Sequence, residues 1–370
     1  MKPIPFEAYA GDAACADCHK QQAEAYLNDA HHLTSRWPDA HSIKGSFIPG
    51  SNVLQTAVPE LTFVMTSNGQ EFYESAEMKV DSGKTVSLTK SIDIVVGSGR
   101  KAQTYLYWDG DQLFELPVSY WIKTGKWVNS PGYEDGAIHF DKAVVPRCLE
   151  CHGSYFESLA PPLNRFSKTS LVLGIMCEKC HGPGRAHVAL HSSNAAPLPG
   201  APEDIVNPSS LSRARQMDLC SLCHAGAVRP IAPSLSFVPG DAIDKYLRIS
   251  DPGPNIPVDV HGNQVELLKR SRCYRSSAMT CTTCHEVHKP QRDAASFSQY
   301  CLTCHKANAC GMYTRIGERI THDCISCHMP LMKSELLYSD TGGQRLQPLV
   351  RDHRIAIYTD AQIAQHTMYP

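Results

Sequence analysis

CEKCH occupies residues 177–181, and the same five-residue pattern, Cys-x-x-Cys-His, recurs along the chain. The other copies are CADCH (15–19), CLECH (148–152), CSLCH (220–224), CTTCH (281–285), CLTCH (301–305) and CISCH (324–328). A random chain of this composition would hold about 0.03 copies. The seven copies contain fourteen of the sixteen cysteines. The pattern is therefore a repeated chemical unit and not an accident of composition.

The spacing inside each copy suits the covalent attachment of haem. Cysteines three positions apart lie on one side of a helical turn, so both sulfurs reach the two vinyl groups of one haem edge. The histidine that follows ligates the iron from the near face. Zinc sites also use Cys-x-x-Cys pairs, but they do not require a histidine after each pair. The sequence thus predicts seven covalent haem c groups, with zinc as the alternative.

Each predicted haem takes two cysteines and one proximal histidine from a single repeat. These residues are Cys15, Cys18 and His19; Cys148, Cys151 and His152; Cys177, Cys180 and His181; Cys220, Cys223 and His224; Cys281, Cys284 and His285; Cys301, Cys304 and His305; and Cys324, Cys327 and His328. The proximal histidines are the predicted iron ligands on the near face of each haem.

Eleven of the eighteen histidines remain for the far face of the haems. A chain rich in both histidine and haem favours bis-histidine iron over His/Met ligation. His288 follows His285 by three residues, and His322 precedes Cys324 by two. Because the CxxCH turn holds the local chain on the near face, we expect both to ligate a neighbouring haem. The predicted distal ligands are His31, His187, His288, His322, His353, His261 and His139.

Two cysteines and four histidines stay outside this scheme, and His41 and His191 are the less favoured distal candidates among them. Cys273 and Cys310 lie outside the repeats. In an oxidising compartment they are candidates for a disulfide with each other, with an intermolecular bond or free thiols as the alternatives. His32 and His366 are interpreted as surface or propionate-bonding histidines.

Composition excludes several classes of protein. The 370 residues carry 35 Lys and Arg against 37 Asp and Glu, which provides no basic excess for nucleic acid. The sequence contains no run of eighteen apolar residues, so it predicts no transmembrane segment.

The start of the chain lacks the features of a secretory leader, yet haem c is attached outside the cytoplasm. We therefore expect a periplasmic or extracellular protein whose leader is absent from this sequence. Its Lys and Arg side chains are interpreted as partners of the haem propionates.

The repeats divide the chain into three predicted parts. Residues 1–50 hold the first repeat, 51–135 form an antiparallel β element without repeats, and 136–370 form a six-haem helical and loop region. In the β element, the segments SNGQ, DSGK and DGDQ each predict the turn of a hairpin. The fold class expected is a mainly α and irregular multihaem cytochrome c with a haem-filled core and a small β element. The aromatic residues expected to pack this element or cover a haem are Tyr105, Tyr107, Trp108, Phe114, Tyr120, Trp121 and Trp127.

The segment CADCHKQQAEAYLNDAHH (15–32) resembles the opening of the tetrahaem cytochromes that accept electrons in hydroxylamine oxidation. In that family a histidine ligand follows the first CxxCH by about twelve residues, a position that His31 matches. CEKCHGPGRAH, CTTCHEVH and HDCISCHMP resemble other pieces of the same superfamily, which includes hydroxylamine oxidoreductase and pentahaem nitrite reductase. The resemblance covers about 1–45 and 136–330 and does not account for the β element.

Two departures from that superfamily favour an electron carrier over an enzyme. Its nitrite reductases typically carry a CxxCK motif, whereas every repeat here ends in histidine. The tyrosine that cross-links the catalytic haem of hydroxylamine oxidoreductase has no identifiable counterpart. The function expected is electron transfer between redox partner proteins, such as other cytochromes or a quinol-oxidising complex. The alternatives are a reductase or oxidase of a small nitrogen or sulfur compound at one open haem, or a homo-oligomeric subunit of a filamentous extracellular cytochrome wire.

Overall fold

The computed structural model describes residues 1–81, 83–192, 205–253 and 256–359. His366, interpreted above as a surface or propionate-bonding residue, lies outside these ranges. Within them, no helix combines the length and the apolar character that a membrane crossing requires. The described chain consists of a strand-rich segment between the first two CxxCH repeats and of short helices and hairpins after it.

The strands are distributed along the described chain from residue 35 to residue 351. They are β1 (Ser35–Arg36), β2 (Val53–Gln55), β3 (Leu61–Ser67), β4 (Phe72–Lys79), β5 (Thr85–Ser91), β6 (Ile94–Val96), β7 (Ala102–Asp109), β8 (Gln112–Glu115), β9 (Val118–Trp121), β10 (Lys126–Asn129), β11 (Lys142–Ala143), β12 (Gly153–Tyr155), β13 (Val172–Leu173), β14 (Val228–Pro230), β15 (Leu247–Ile249), β16 (Leu331–Lys333), β17 (Ser339–Thr341), β18 (Gln344–Leu346) and β19 (Leu349–Arg351).

The α-helices are short, and most of them adjoin a repeat. They are α1 (Asp12–Cys18), α2 (Lys20–Tyr26), α3 (Pro146–His152), α4 (Cys177–His181), α5 (Arg185–Ser192), α6 (Arg213–His224), α7 (Gln264–Lys269), α8 (Arg272–Arg275), α9 (Ala294–Leu302), α10 (Tyr313–Ile316) and α11 (Ile325–His328). Short 3₁₀ helices cover Phe6–Ala8, His32–Thr34, Pro208–Ser210, Ile243–Lys245, Cys281–Thr283, Ala307–Ala309 and Gly317–His322.

The first sheet is antiparallel in the order β2-β3-β4-β5. Along β3 the buried side chains alternate, with Leu61, Phe63 and Met65 directed into the core, as expected for a strand with one buried face. The register pairs Leu61 with Met78 and Ser67 with Phe72. β4 then pairs with β5. Two of the hairpins predicted from the sequence are thereby confirmed.

The second sheet follows the path β1-β6-β7-β8-β11, with β9 paired to β7 and β10 to β9. Its β7–β8 hairpin turns at the predicted Asp-Gly pair. Tyr105, Tyr107 and Trp127 of this sheet share one buried cluster with Leu61 and Phe63 of the first sheet. The sheets therefore pack on a common apolar core that holds most of the aromatic residues named above, whereas Trp108 packs against a second cluster that includes Leu149.

The expectation of a mainly α fold is wrong in its proportions. After the first two sheets, the described chain still forms the two-stranded pairs β12–β13, β14–β15, β16–β19 and β17–β18. The CxxCH helices remain short, because each one needs only the single turn that carries two cysteines and a histidine. The described fold is consequently a mixture of short helices and small antiparallel sheets.

The apolar clusters are much smaller in the region that carries the last four repeats. One joins Leu222, Phe237, Ile243, Tyr246 and Leu247, and another joins Met217, Val265 and Leu268. The shared core of the two large sheets holds fifteen buried residues, against five and three here. Packing of the repeat region therefore relies less on aliphatic side chains than packing of the sheets does.

Candidate haem-binding sites

Each Cys-x-x-Cys-His repeat lies on a helical turn. The helices α3, α4 and α6 end at the histidines of the second, third and fourth repeats. In the first, fifth, sixth and seventh repeats, the histidine N–H donates to the carbonyl of the first cysteine at 2.8, 3.0, 2.9 and 3.0 Å. This hydrogen bond closes one turn, so the two thiols and the imidazole project from the same turn.

Thiols from different repeats lie near each other. The neighbouring pairs are Cys15–Cys177, Cys151–Cys223, Cys220–Cys281 and Cys301–Cys324. The backbone agrees, because α1 packs on α4, α3 packs on α6 and α9 packs on α11. The repeats are thus neighbours in space although up to 162 residues separate the paired cysteines in the sequence.

Three proximal imidazoles face a second imidazole at nearly the same distance. The ring centroids are 6.0 Å apart for His181 and His288, 6.2 Å for His285 and His353, and 6.1 Å for His224 and His31. The ring planes are nearly parallel in the first two pairs, at 23° and 22°, and nearly perpendicular in the third, at 85°. Each pair joins a proximal histidine to one of the predicted distal ligands.

Hydrogen bonds at Nδ1 orient several of these rings. Two of the acceptors are side chains: His31 Nδ1 donates to Asp29 Oδ1 at 3.0 Å, and His224 Nδ1 donates to Gln264 Oε1 at 3.2 Å. The other three acceptors are backbone carbonyls. They belong to Val206 for His181 at 2.8 Å, to Ala356 for His328 at 2.8 Å and to Arg351 for His353 at 3.1 Å. A donor bond at Nδ1 fixes the tautomer in which Nε2 carries the free lone pair. Each of these histidines can therefore ligate a metal through Nε2.

Burial keeps two of the imidazoles neutral. Burial, followed by the nearby imidazoles of His261 and His224, lowers the pKa of His152 to about 4. Burial and the facing ring of His285 lower the pKa of His353 to about 4 as well. A metal ligand must be deprotonated, so low pKa values suit these positions. The influence on His152 also places His261, another predicted distal ligand, close to the second repeat.

The remaining predicted distal ligands have other neighbours. His187 lies on α5 with its ring centroid 4.5 Å from that of His191. His139 is about half exposed, with Nδ1 3.5 Å from Asp141 Oδ1. His322 ends a 3₁₀ helix and is exposed. Among the described residues, neither His139 nor His322 makes a ring contact with a proximal imidazole.

The donor set fits haem better than a bare metal ion. Across the described ranges, no three His, Cys, Asp or Glu side chains gather closely enough to hold an ion. The facing imidazoles gather instead as pairs. A porphyrin supplies four nitrogen ligands and leaves two axial positions to the protein. Paired imidazoles beside Cys-x-x-Cys turns therefore match the needs of covalently attached haem.

Cys273 and Cys310 are not joined to each other in the structure. Cys273 lies near Cys284 of the fifth repeat and Cys301 of the sixth. The predicted disulfide between the two is thus not formed, and both thiols are free among the described residues.

Sequence reasoning missed the residues that orient the imidazoles. Asp29 and Gln264 accept hydrogen bonds from His31 and His224, and no motif marks either of them. The carbonyl acceptors carry no side-chain signal at all, because every residue has a backbone oxygen. Of these partners, Asp29 was the only one within reach of local reasoning, since it lies two residues before His31.

Comparisons with known proteins agree with this geometry. The family model described as cytochrome c554 and c-prime matches residues 128–182, which contain the second and third repeats. No curated protein sequence gives a significant match. The crystal structure of the outer cell wall cytochrome OcwA is 16% identical, with a TM-score of 0.58, and the match covers 97% of this chain and 82% of that one.

A second solved structure, the undecahaem cytochrome from the S-layer of Carboxydothermus ferrireducens, is also 16% identical. That match covers 97% of this chain and 53% of the other, with a TM-score of 0.45. The OcwA likeness extends over nearly the whole chain, and the family match falls on two CxxCH turns. The chain therefore has the fold of a multihaem c-type cytochrome, a class that binds haem covalently and transports electrons.

Proposed function

We propose that this protein transfers electrons through a chain of seven covalently bound c-type haems. The observation that carries the proposal is that the attachment cysteines of different repeats lie near one another, on helices that pack together. A haem is joined to its cysteines at the edge of its ring, so two such cysteines near each other bring two haem edges close together. Short distances between edges are what rapid electron tunnelling requires.

The contacts support one continuous series of haems. The first repeat contacts the third, the second contacts the fourth, the fourth contacts the fifth, and the sixth contacts the seventh. Two further proximities close the gaps. Cys180 of the third repeat lies near Cys220 of the fourth, and Cys284 of the fifth lies near Cys301 of the sixth. The proposed order is first, third, fourth, fifth, sixth and seventh haem, with the second beside the fourth.

The attachment cysteines differ in exposure between the ends and the middle of the proposed haem series. Cys18 in the first repeat, Cys304 in the sixth and Cys327 in the seventh are exposed, whereas those of the third and fourth repeats are partly buried. Cys148, in the repeat placed beside the series, is also exposed. Electrons would enter and leave at the exposed haem edges, where redox partner proteins can approach.

The positions of the imidazoles support three axial pairs. A metal–imidazole bond of about 2.0 Å on each side of an iron places two trans ring centroids roughly 6 Å apart. The pairs His181–His288, His285–His353 and His224–His31 have this separation. His261 would be the candidate partner of His152, because its charge contributes to the lowered pKa of that residue. We assign His187, His322 and His139 as the candidates for the first, sixth and seventh haems, in keeping with the expectation from the sequence.

The proposal includes export of the chain. Haem c is attached outside the cytoplasm, so a chain with seven attachment turns is expected in the periplasm or on the cell surface. The related structure OcwA is described as an outer cell wall cytochrome. Bis-histidine iron has a lower reduction potential than His/Met iron, which suits exchange with low-potential redox partner proteins.

Two measurements test this function. Mass spectrometry of the denatured protein should show the mass of the chain plus seven haem groups. The fully reduced protein should then deliver seven electrons to a ferric chelate in a single kinetic phase. Six or fewer haems, or a slow phase that holds several electrons, would contradict an unbroken series of seven.

Two matched variants test the proposed order of the haems. The change Cys324→Ser with Cys327→Ser removes the terminal haem and should leave six electrons in one fast phase. The change Cys281→Ser with Cys284→Ser removes a haem in the middle and should split the reoxidation into a fast and a slow phase. Identical kinetics in the two variants would overturn the proposed order while leaving haem binding intact.

A further inference from the structure

The turn that leads into β7 carries two basic side chains, Arg100 and Lys101, that are not within ion-pair distance of a carboxylate among the described residues. Arg100 Nη2 donates to the Asn28 carbonyl at 3.0 Å, while Arg100 Nε is buried and lacks a hydrogen-bond partner among the described residues. Lys101 Nζ donates to the Leu349 carbonyl at 3.0 Å. Neither side chain forms an ion pair with a carboxylate of the described chain. The Asp29 carboxylate lies near Arg100 but beyond ion-pair distance.

Each of these cations lies near another cation. Burial, followed by the charge of Arg292, lowers the pKa of Arg100, and the Asp29 carboxylate offsets this lowering only in part. Burial, followed by the charges of Arg351 and Lys123, lowers the pKa of Lys101. Like charges in a partly buried place repel strongly, because the protein screens them less than water does. An anion beside each pair would relieve this repulsion.

Both cation pairs border the candidate haem sites. Arg100 bonds to Asn28, next to the Asp29 carboxylate that holds His31 against His224. Arg351 Nη1 donates to the carbonyls of Ile325 and Met329, at the two ends of α11 in the seventh repeat. The turn before β7 therefore places Arg100 and Lys101 beside the part of the chain that carries the CxxCH repeats.

We propose that Arg100 with Arg292, and Lys101 with Arg351, bind propionate carboxylates of two different haems. The inference rests on the proposed function, since that supplies the haems. A guanidinium donates two parallel hydrogen bonds to a carboxylate, and Arg100 Nε is an unused donor of the right kind. The proposal also gives the β region, which carries no repeat, a role in the haem chain. It sets the charge around two of the haems.

The consequence is a higher reduction potential at those haems. Reduction adds an electron to the iron, and a nearby positive charge stabilises the reduced form relative to the oxidised one. Loss of one cation from a pair should therefore shift the midpoint potential of one haem in the negative direction. The other haems should keep their potentials, because the interaction fades with distance in a solvated protein.

The test uses the holoprotein in three variants. Arg100→Gln and Lys101→Gln each remove one charge, and Arg165→Gln is the matched control because the Arg165 guanidinium already pairs with the Asp111 carboxylate. Haem content is measured by mass spectrometry, and potentials are measured by spectroelectrochemical titration. We expect seven haems in every variant, a negative shift of one centre in Arg100→Gln, a shift of a different centre in Lys101→Gln, and no shift in Arg165→Gln.

The outcomes separate this inference from the proposed function. Seven haems with unchanged potentials in Arg100→Gln and Lys101→Gln would overturn propionate binding and leave electron transfer standing. A wild-type protein without seven haems would overturn the proposed function itself. If Arg100→Gln does not fold, Arg292→Gln removes the other member of the pair and should shift the same single centre. An unchanged set of potentials in Arg292→Gln would then refute the assignment.

Discussion

His31 illustrates how far single residues could be interpreted from the sequence. Its place twelve residues after the first repeat marked it as a candidate distal ligand, but no local feature tells which iron it would reach. In the structure its ring faces His224, in a repeat about two hundred residues away. The proximal ligand of a CxxCH turn is predictable because five adjacent residues define it. The distal partner depends on tertiary packing, so only a set of candidates could be predicted.

The angle between paired imidazoles leads to a spectroscopic prediction. The g-values of a low-spin ferric haem spread most widely when its two imidazole planes are perpendicular. His224 and His31 are the perpendicular pair, at 85°. We expect His31→Ala to remove one signal of very large g-value from the EPR spectrum and to convert about one haem in seven to high spin.

Exposed His41 supplies the control for that prediction. The change His41→Ala should leave the EPR spectrum as it is in the wild type. In the related change His288→Met, the haem that gains a methionine ligand should be the one held by the third repeat, and its potential should rise. A change at the haem of the fifth repeat instead would show that the facing pair His181–His288 is not an axial pair.

Glu74 is a residue that the sequence did not single out. It lies on β4, fully buried, where Oε1 accepts the Val118 N–H at 3.0 Å and Oε2 has no partner among the described residues. Burial raises the pKa of Glu74 well above its usual range. The folded protein therefore holds a proton there that the unfolded chain releases above its pKa of about 4.3. Stability is greatest below that pH and falls as the pH rises toward the raised folded value.

The change Glu74→Gln should remove this pH dependence. Glutamine has nearly the same shape and stays neutral, so the variant should gain of the order of 1 kcal/mol in unfolding free energy near neutral pH. Thermal unfolding between about pH 5 and about pH 8 checks this. The gain should grow with pH, and Glu77→Gln on the same strand should show no such trend. A gain that shrinks as the pH rises would mean that Glu74 is charged in the folded protein.

At the scale of elements, the hairpins were predictable and the balance of helix and strand was not. The strands β3, β4, β5, β7 and β8 have clear turn signals between apolar stretches, and the structure pairs them as expected. Later pairs such as β16–β19 join segments that lie more than ten residues apart without a tight turn. Their pairing depends on how the repeats pack, and no local turn signal records it. The proportion of helix was overestimated because most of the small two-stranded pairs after the second repeat have no hairpin turn signal in the sequence.

Gly226 connects an element to a candidate iron site. Its φ is +73°, and a Cβ added there would lie 1.5 Å from Asn263 Oδ1. Asn263 Nδ2 donates to the carbonyls of Asp259 at 2.9 Å and His261 at 3.2 Å. The change Gly226→Ala should thus displace the loop that carries His261, and backbone strain alone should cost about 1 kcal/mol. We expect the haem of the second repeat to become partly high spin, as measured by optical and EPR spectra.

Gly50 provides a matched control for that change. Its φ is +90°, and a Cβ there would meet no atom within 4 Å. The change Gly50→Ala should cost similar backbone strain without a change of spin state. If both variants lose the same stability and neither shows high-spin haem, the contact between Gly226 and Asn263 does not position His261.

At the scale of the whole molecule, the sequence predicted the number of haems and left their order open. The number follows from counting repeats. The order follows from which repeats touch, and the third repeat contacts the first although the second lies between them in the chain. Such a path arises because β12 and β13, after the second repeat, return the chain toward α1 before the third repeat begins. This reversal of the chain depends on tertiary contacts between residues outside the repeats, so no sequence motif predicts it.

The complete series leads to the prediction that separates a carrier from an enzyme. A carrier gains from six-coordinate iron throughout, because fixed ligands keep the reorganisation at each electron transfer small. An enzyme needs one iron with an open position at which a substrate binds. Eleven histidines beyond the proximal seven are enough to fill every distal position, and no CxxCK repeat marks a special iron. We therefore expect a fully low-spin ferric spectrum that nitrite, hydroxylamine, cyanide and sulfite leave unchanged. A high-spin component near one haem equivalent that shifts with one of these ligands would overturn the carrier function, and would mark that haem as the active site.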